Sequence, residues 1–330
     1  MKNRGYLLTD TRRFQFVTHE MSEEPALSQV LLKIMYCGIC GGDYSCYIGR
    51  RPEYPKSLGH EFVGKIVSTG DGVSRVQPGD QVVSDLNYRC GKCAYCLKGQ
   101  SHLCIENNVE HFTNRAFFEY MIIEETYLHK IETNPVFLYR ATLIEPLSCV
   151  LHSLSGYDLT DKNILINGCG SIGTLACFYM KDILGVHNIS VYDSNEVRSE
   201  ALSSVMRVNK ITRPRNENFD FVYECTNSPL GVSDSLRCAK RNGEVCVLSH
   251  IYGEESSFIY ESICKKELRP KFPLRNGPLY SLGAADACLA GFWRNDYDRL
   301  LGIYDFKKLP EVFARKERLP ENKQIIKVTY

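Results

Sequence analysis

The 330-residue chain carries 40 basic and 39 acidic side chains, giving a formal net charge of +1, together with 15 cysteines. This balance provides no electrostatic basis for a nucleic-acid or acidic-membrane partner, and no apolar stretch approaches the roughly 20 residues of a membrane helix. A composition 44% hydrophobic and 24% charged excludes wholesale disorder. The length predicts two domains. The first residues, Met1-Lys2-Asn3-Arg4-Gly5-Tyr6, lack the apolar region of a signal peptide, so a cytoplasmic location is expected.

The first 130 residues are rich in short β-type runs. Val30–Met35 and Glu61–Val67 read as strands, and Pro78-Gly79-Asp80 is a tight turn into a third run, Gln81–Val83. Near residue 160 the rhythm changes. Asn163–Asn167 is a short apolar strand, followed by a glycine-rich turn and an apolar helical pattern reaching about Leu184. Further strands are expected at Asn188–Asp193, Phe219–Tyr223 and Glu244–Leu248, an alternation that predicts βαβ units and a parallel sheet. Ile325–Val328 reads as a final strand returning to the first domain.

A reducing compartment does not sustain a disulfide framework, so clustered cysteines there read as metal ligands or reactive thiols. Cys90, Cys93, Cys96 and Cys104 are spaced to surround one tetrahedral Zn²⁺, and four thiolates leave no open position, which marks a structural site. Free thiols and a redox dithiol are the alternatives. Cys149, Cys169, Cys177, Cys225, Cys238, Cys246, Cys264 and Cys288 are expected to be small buried hydrophobes.

Gly168-Cys169-Gly170-Ser171-Ile172-Gly173 follows an apolar strand, opens a helix and precedes Asp193 by 20 residues. That context is the dinucleotide-binding one: Gly168 turns, Gly170 admits the diphosphate, Gly173 lets helix and strand pack closely, and the helix N-terminus takes the negative charge. Asp193 would bind the adenosine ribose and favour NAD over NADP, with Arg198 near the adenine side. The alternative is a structural turn without ligand. Three dispersed pieces complete the set: Cys40 in a glycine loop, His60-Glu61 at a strand start, and Glu145 before Pro146. Thiolate, imidazole and carboxylate suit a catalytic zinc, but spacing alone does not unite them.

Glycine–cysteine loop, Gly-His-Glu, four-cysteine lobe, Glu-Pro-Leu and GxGxxG, in this order, resemble the zinc-dependent medium-chain dehydrogenase/reductase family. The segment from Ala141 to His152 is most similar to its sorbitol and threonine dehydrogenase branch. The resemblance implies a Rossmann-type doubly wound parallel sheet plus a β-rich GroES-like catalytic domain. The expected division is a catalytic domain over 1–148 with a zinc lobe at about 88–106, an NAD-binding domain over 149–284, and a C-terminal segment over 285–330 returning to the first. It implies two Zn²⁺, one catalytic on Cys40, His60 and Glu61 with Glu145 as direct or indirect ligand, one structural on Cys90, Cys93, Cys96 and Cys104. It also implies NAD(H), a small alcohol or ketone as partner, and a homodimer or homotetramer. Asp43 would orient the ligands from behind.

The chain departs from the family where Ser or Thr usually relays the proton: Gly42 stands there, and Ser45 stands where histidine is frequent. Tyr44, Ser45, Tyr47 or a water held by Glu145 are the replacements. The loops at 107–118 and 270–283 are expected to shape the substrate pocket. The expected activity is interconversion of a secondary alcohol of a polyol, sugar or sugar phosphate with its ketone, Arg50 and Arg51 being the candidates for a phosphate. The alternatives are an NAD(H) sensor whose relay is lost, and a zinc-redox switch at Cys37 and Cys40.

Overall fold

Three sheets organise the described residues. The computed structural model describes residues 1–85, 89–106, 115–131, 135–214, 218–251, 260–277, 280–292 and 297–329. Strands β1 (Lys2–Asp10), β2 (Arg13–Glu20) and β3 (Gln29–Gly38) precede helix α1 (Gly41–Tyr47). Strands β4 (Lys56–Ser57), β5 (Glu61–Thr69) and β6 (Gln81–Ser84) precede the short α2 (Ala94–Leu97), and β7 (Tyr120–Glu124) and β8 (Leu128–Lys130) lead to α3 (Ile144–Leu154). An alternating series follows: β9 (Ile164–Asn167), α4 (Ser171–Phe178), β10 (Ile189–Tyr192), α5 (Glu196–Met206), β11 (Asn209–Lys210), β12 (Phe219–Glu224), α6 (Pro229–Cys238), β13 (Ala239–Val247), α7 (Tyr260–Lys266), β14 (Arg269–Lys271) and α8 (Tyr280–Phe292). The chain closes with β15 (Leu301–Asp305), α9 (Leu309–Arg315) and β16 (Lys323–Lys327).

The alternating series forms a six-stranded sheet in the order β11-β10-β9-β12-β13-β14, every pair parallel. In sequence terms this is the 3-2-1-4-5-6 order of the doubly wound fold, whose crevice opens where β9 and β12 diverge. All four residues of β9 are buried, as a strand covered by helices on both faces requires. The predicted helix from the glycine turn to Leu184 is α4 continued by a π-helical turn, Tyr179–Ile183.

The β-rich part pairs in the order β15-β16-β3-β5-β6-β8, with β7 also on β3, beside a separate sheet β2-β1-β4. The final strand enters antiparallel to β3, with Ile325 opposite Gly38 and Ile326 opposite Cys37. One core packs Leu8, Val30, Phe62, Phe117 and Phe313 within this part; another packs Ile164, Ile166, Phe178, Phe221 and Phe292 around the parallel sheet. Burying each such side chain contributes about 1.5–3 kcal/mol. Positions 148/149 and 284/285 lie inside α3 and α8, so helices rather than flexible linkers join the two parts there. Cys264 is exposed, and Cys149, Cys225 and Cys288 are only partly buried, which corrects the expectation that all eight scattered cysteines are interior hydrophobes.

Candidate active site and metal centres

The loop between β3 and α1 delivers Cys40 as the N-cap of the helix. Its Sγ accepts from the Gly42 amide at 3.3 Å, and Asp43 Oδ2 accepts from the Cys40 amide at 3.1 Å, a capping box that fixes the sulfur. His60 and Glu61 stand where β5 begins. One ligand atom each from Cys40, His60 and Glu61 lie within 4.8 Å of one another. Asp43 is buried behind them; its Oδ1 accepts from the Gly59 amide at 3.3 Å and sits 3.5 Å from His60 Nδ1, which is buried without a hydrogen-bond partner. Burial opposes charge on His60, but Asp43 and Cys40 outweigh it and raise its pKa well above the ordinary value.

Glu145 enters from the first turn of α3 and is 4% exposed. Burial, reinforced by Glu61, pushes its carboxyl up to about 7 against the opposing pull of His60. Cys149, one helical turn on, donates its thiol to Glu145 Oε1 at 3.6 Å. A cation held nearby would reverse this shift. Glu145 faces the same cluster electrostatically, although it is not among the three atoms within mutual reach.

The four lobe cysteines form a second cluster. Sγ of Cys90 and Cys96 are 4.0 Å apart, and those of Cys93 and Cys104 are 3.9 Å apart. Backbone amides of Cys93 and Cys96 donate to the sulfurs of Cys90 and Cys93 at 3.3 and 3.5 Å. The Cys96 amide is the largest cause lowering Cys93 to about 6, which favours the thiolate that a zinc ion needs. Gly91 and Gly99 adopt φ of +70° and +74°, the left-handed turns that fold the lobe back on itself.

A cavity of about 800 Å³ runs between the parallel sheet and α1, lined by Gly41, Tyr44, Ser45, Gly168, Gly170 and Ser171 among others. Each glycine of the turn meets a different constraint. Gly168 has φ +108°, a Cβ on Gly173 would land on the Gly168 carbonyl oxygen, and a Cβ on Gly170 would meet nothing within 4 Å. The open space is therefore in front of Gly170, at the N-terminus of α4, where Ser171 Oγ is buried without a hydrogen-bond partner. Open approach, helix N-terminus and orphaned hydroxyl fit a diphosphate. Ile172 packs against the core behind the turn. Asp193 binds the turn itself: Oδ2 accepts from the Cys169 amide at 2.7 Å and Oδ1 from the Asn195 amide at 2.8 Å, and both oxygens keep lone pairs for a ribose. Arg198 lines the same cavity, its Nη2 donating to the Lys316 carbonyl.

Of the relay candidates, Tyr44 and Ser45 line the cavity. Ser45 Oγ donates back to the Gly41 carbonyl at 3.0 Å. Tyr47 instead turns into the aromatic core, stacked on Phe14 at 5.6 Å and tilted against Phe313 at 5.2 Å. Arg50 Nη1 donates to the Asn227 carbonyl at 3.1 Å, across the mouth of the cleft. Of the expected pocket loops, residues 107–114 and 278–279 lie outside the described residues. Sequence reasoning missed three groups at this site: Lys316 on the cavity wall, Lys323 behind Glu61, and Cys225 beneath Gly168. Cys225 and Lys323 stand two residues from predicted strand ends, and no sequence signal marks Lys316.

The alcohol dehydrogenase GroES-like domain model matches residues 26–133. A sorbitol dehydrogenase of Halalkalibacterium halodurans is 28% identical over 77% of this chain and 78% of its own. An L-threonine 3-dehydrogenase of Caldanaerobacter subterraneus subsp. tengcongensis is 28% identical over 67% of this chain and 68% of its own. Among solved structures, a zinc-binding dehydrogenase of Sinorhizobium meliloti 1021 bound to NADP superposes with a TM-score of 0.84, at 25% identity over 99% of both chains.

Proposed function

We propose that the chain is a medium-chain dehydrogenase/reductase, an NAD(H)-dependent zinc alcohol dehydrogenase acting on a secondary alcohol of a polyol, sugar or sugar phosphate. One observation carries the reading: the sulfur, nitrogen and oxygen donors of Cys40, His60 and Glu61 converge beside a cleft whose opposite wall is the glycine turn. When bound, a Zn²⁺ would supply Lewis acidity to make an alcohol hydroxyl more acidic, and a nicotinamide would supply the hydride acceptor.

The chain's own residues do the rest. Asp43 anchors the Cys40 and Gly59 amides and orients the His60 ring from behind. The α4 N-terminus and Ser171 receive the diphosphate, and Asp193 holds the ribose, its charge disfavouring a 2′-phosphate. Of the hydroxyls expected to replace the side chain missing at Gly42, Tyr44 and Ser45 are the two on the cavity wall. Cys90, Cys93, Cys96 and Cys104 hold the second, structural Zn²⁺. The catalytic unit is assigned to 1–148 with 285–330, the cofactor unit to 149–284, and a homodimer or homotetramer in the cytoplasm completes the reading. Among the described residues no helix is long and apolar enough to cross a membrane.

NADH absorbance with a panel of polyols, amino alcohols and sugar phosphates tests the activity, alongside metal analysis. Turnover with one class and close to two zinc per chain support the reading. Silence across the panel at full metal content would return the protein to the cofactor-sensing role that Gly42 suggests.

A further inference from the structure

The loop after β12 is anchored by a carboxylate that the proposed chemistry does not use. Glu224, the last residue of β12, is fully buried. Its Oε1 accepts from the Thr226 amide at 2.8 Å, the Thr226 hydroxyl at 2.6 Å and the Ser249 hydroxyl at 2.8 Å. Ser249 Oγ in turn accepts from the Asn227 amide at 2.6 Å. The amide of the next residue, His250, donates to Asn227 Oδ1 at 3.1 Å. Burying a carboxyl is costly unless bonds of this kind offset it, and here they fix the chain around one residue. Asn227 holds a left-handed φ of +54°, a conformation that asparagine tolerates better than most side chains.

The loop so anchored belongs to the parallel-sheet part, and its tip meets the β-rich part across the cleft. The Asn227 carbonyl accepts from Arg50 Nη1 at 3.1 Å. The Asn227 side chain lies over the start of α1, where a Cβ on Gly41 would stand 2.8 Å from its Nδ2. The bare backbone at Gly41 thus leaves the room that the carboxamide occupies. Gly41, Arg50 and Asn227 all line the cavity proposed for the cofactor. Arg50 and Asn227 are 177 residues apart in sequence, so their bond exists only while the two parts stand close.

We propose that Asn227 and Arg50 form a clasp across the mouth of the cleft, and that its opening sets the rate at which cofactor enters and leaves. The inference rests on the cofactor site proposed above. The clasp runs between protein atoms on both sides, so its strength does not depend on what the cleft contains. A contact equal in free and loaded protein shifts no binding equilibrium; it slows entry and exit by the same factor. A residue that touched the cofactor would instead slow release and tighten binding.

Stopped-flow NADH fluorescence on the full chain tests the clasp. Arg50 is exposed, and glycine adopts the left-handed conformation freely, so Arg50→Met and Asn227→Gly should both fold. We expect each variant to raise the association and dissociation rates of NADH together, by about fivefold, with Kd within about twofold of the parent's. Unchanged rates overturn the proposal. So does faster release with Kd weakened in proportion, which marks direct contacts with the cofactor. Hydrogen–deuterium exchange of the protein without NADH supplies a readout independent of binding. Both variants should speed exchange over Cys40–Tyr44, the segment that the Asn227 side chain covers, and exchange equal to the parent's overturns the clasp. A parent that binds no NADH defeats the cofactor site and this inference together, whereas NADH bound at rates that both variants leave unchanged defeats this inference alone.

Discussion

Gly42 is a position where this chain departs from the family that its motifs resemble, and its surroundings do not demand glycine. A Cβ there would lie 3.7 Å from Cys40 Sγ, ordinary contact, and the residue is not in the left-handed region. It occupies the first turn of α1, where glycine costs helix stability relative to other residues. Gly42→Ser is therefore expected to fold with stability unchanged or raised by about 0.5 kcal/mol, and to raise kcat below neutral pH by restoring a hydroxyl beside Cys40; thermal denaturation and a kcat–pH profile check both. Lys316 carries a second prediction. Desolvation, with Arg198 and Lys323 nearby, lowers its pKa to about 8. Its side chain lines the cavity proposed for the cofactor, where its charge would favour a diphosphate. Protonated below pH 8, it tightens NADH binding there; above pH 8 the charge is lost and affinity falls, by about tenfold at most for roughly 1.4 kcal/mol. Lys316→Met should flatten the Kd–pH curve, and a curve as steep as the parent's would remove Lys316 from the cofactor site. Neither lysine was legible in the sequence. The Lys323–Glu61 partners are separated by 262 residues, and no local pattern marks a lysine for burial. By contrast the spacing of the lobe cysteines is itself a metal-site signal, whereas Cys40 and His60 are joined only by the family resemblance.

At the scale of elements, the β9–α4 turn separates two uses of glycine that the motif alone does not distinguish. Gly173 is held against the Gly168 carbonyl, so Gly173→Ala must push helix from strand; we expect a loss of about 3 kcal/mol or more and no measurable cofactor binding. Gly170 has φ −75° and ψ −162°, which alanine adopts without strain, and faces open space. Gly170→Ala should keep the parent Tm while weakening NADH binding at least about tenfold, because the methyl occupies the path of the diphosphate. Calorimetry beside fluorescence titration separates the two outcomes, and equal Tm losses in both variants would refute the distinction. The lobe around α2 obeys a different logic. Leu97 and Ile105 are exposed, so little apolar burial holds it, and Arg89 at its entrance donates to Asp85 Oδ2 at 3.2 Å. Cys93→Ser is expected to remove one metal per chain and lower Tm while leaving NADH affinity within about twofold, since the lobe does not line the cleft. Here the sequence was a good guide to strands and turns, whose period and breakers are local. It was a poor guide to α3 and α8, which run through the expected domain boundaries because a helix packed on both parts leaves no linker composition to read.

The molecule as a whole is stitched at its C-terminal segment. After α9, the chain passes the cofactor wall before entering the β-rich sheet as β16. Asn322, immediately before that strand and 3% exposed, donates through Nδ2 to the Cys169 carbonyl inside the glycine turn and, at 3.3 Å, to the Arg198 carbonyl. Arg198 in turn donates to the Lys316 carbonyl, and Asn195 Nδ2 to the Glu317 carbonyl at 3.0 Å. The residue after Asn322 is Lys323, which holds Glu61. One stretch of eight residues, 316–323, therefore touches Asn195 and Arg198 at the start of α5 through its first two residues, and the glycine turn and Glu61 through its last two. A ligand that orders the turn must stabilise β16 as well, because anything bound to the native state alone is felt wherever the native contacts are shared. We expect saturating NADH to slow hydrogen–deuterium exchange throughout β16, although β16 lines no part of the cavity. Asn322→Leu keeps the volume but leaves the Cys169 carbonyl without its donor, costing about 1–3 kcal/mol. In that variant NADH should still protect β9 and α4, while the protection of β16 disappears. Protection of β16 that persists in Asn322→Leu would show the coupling to run through the sheets' shared core instead of this strap.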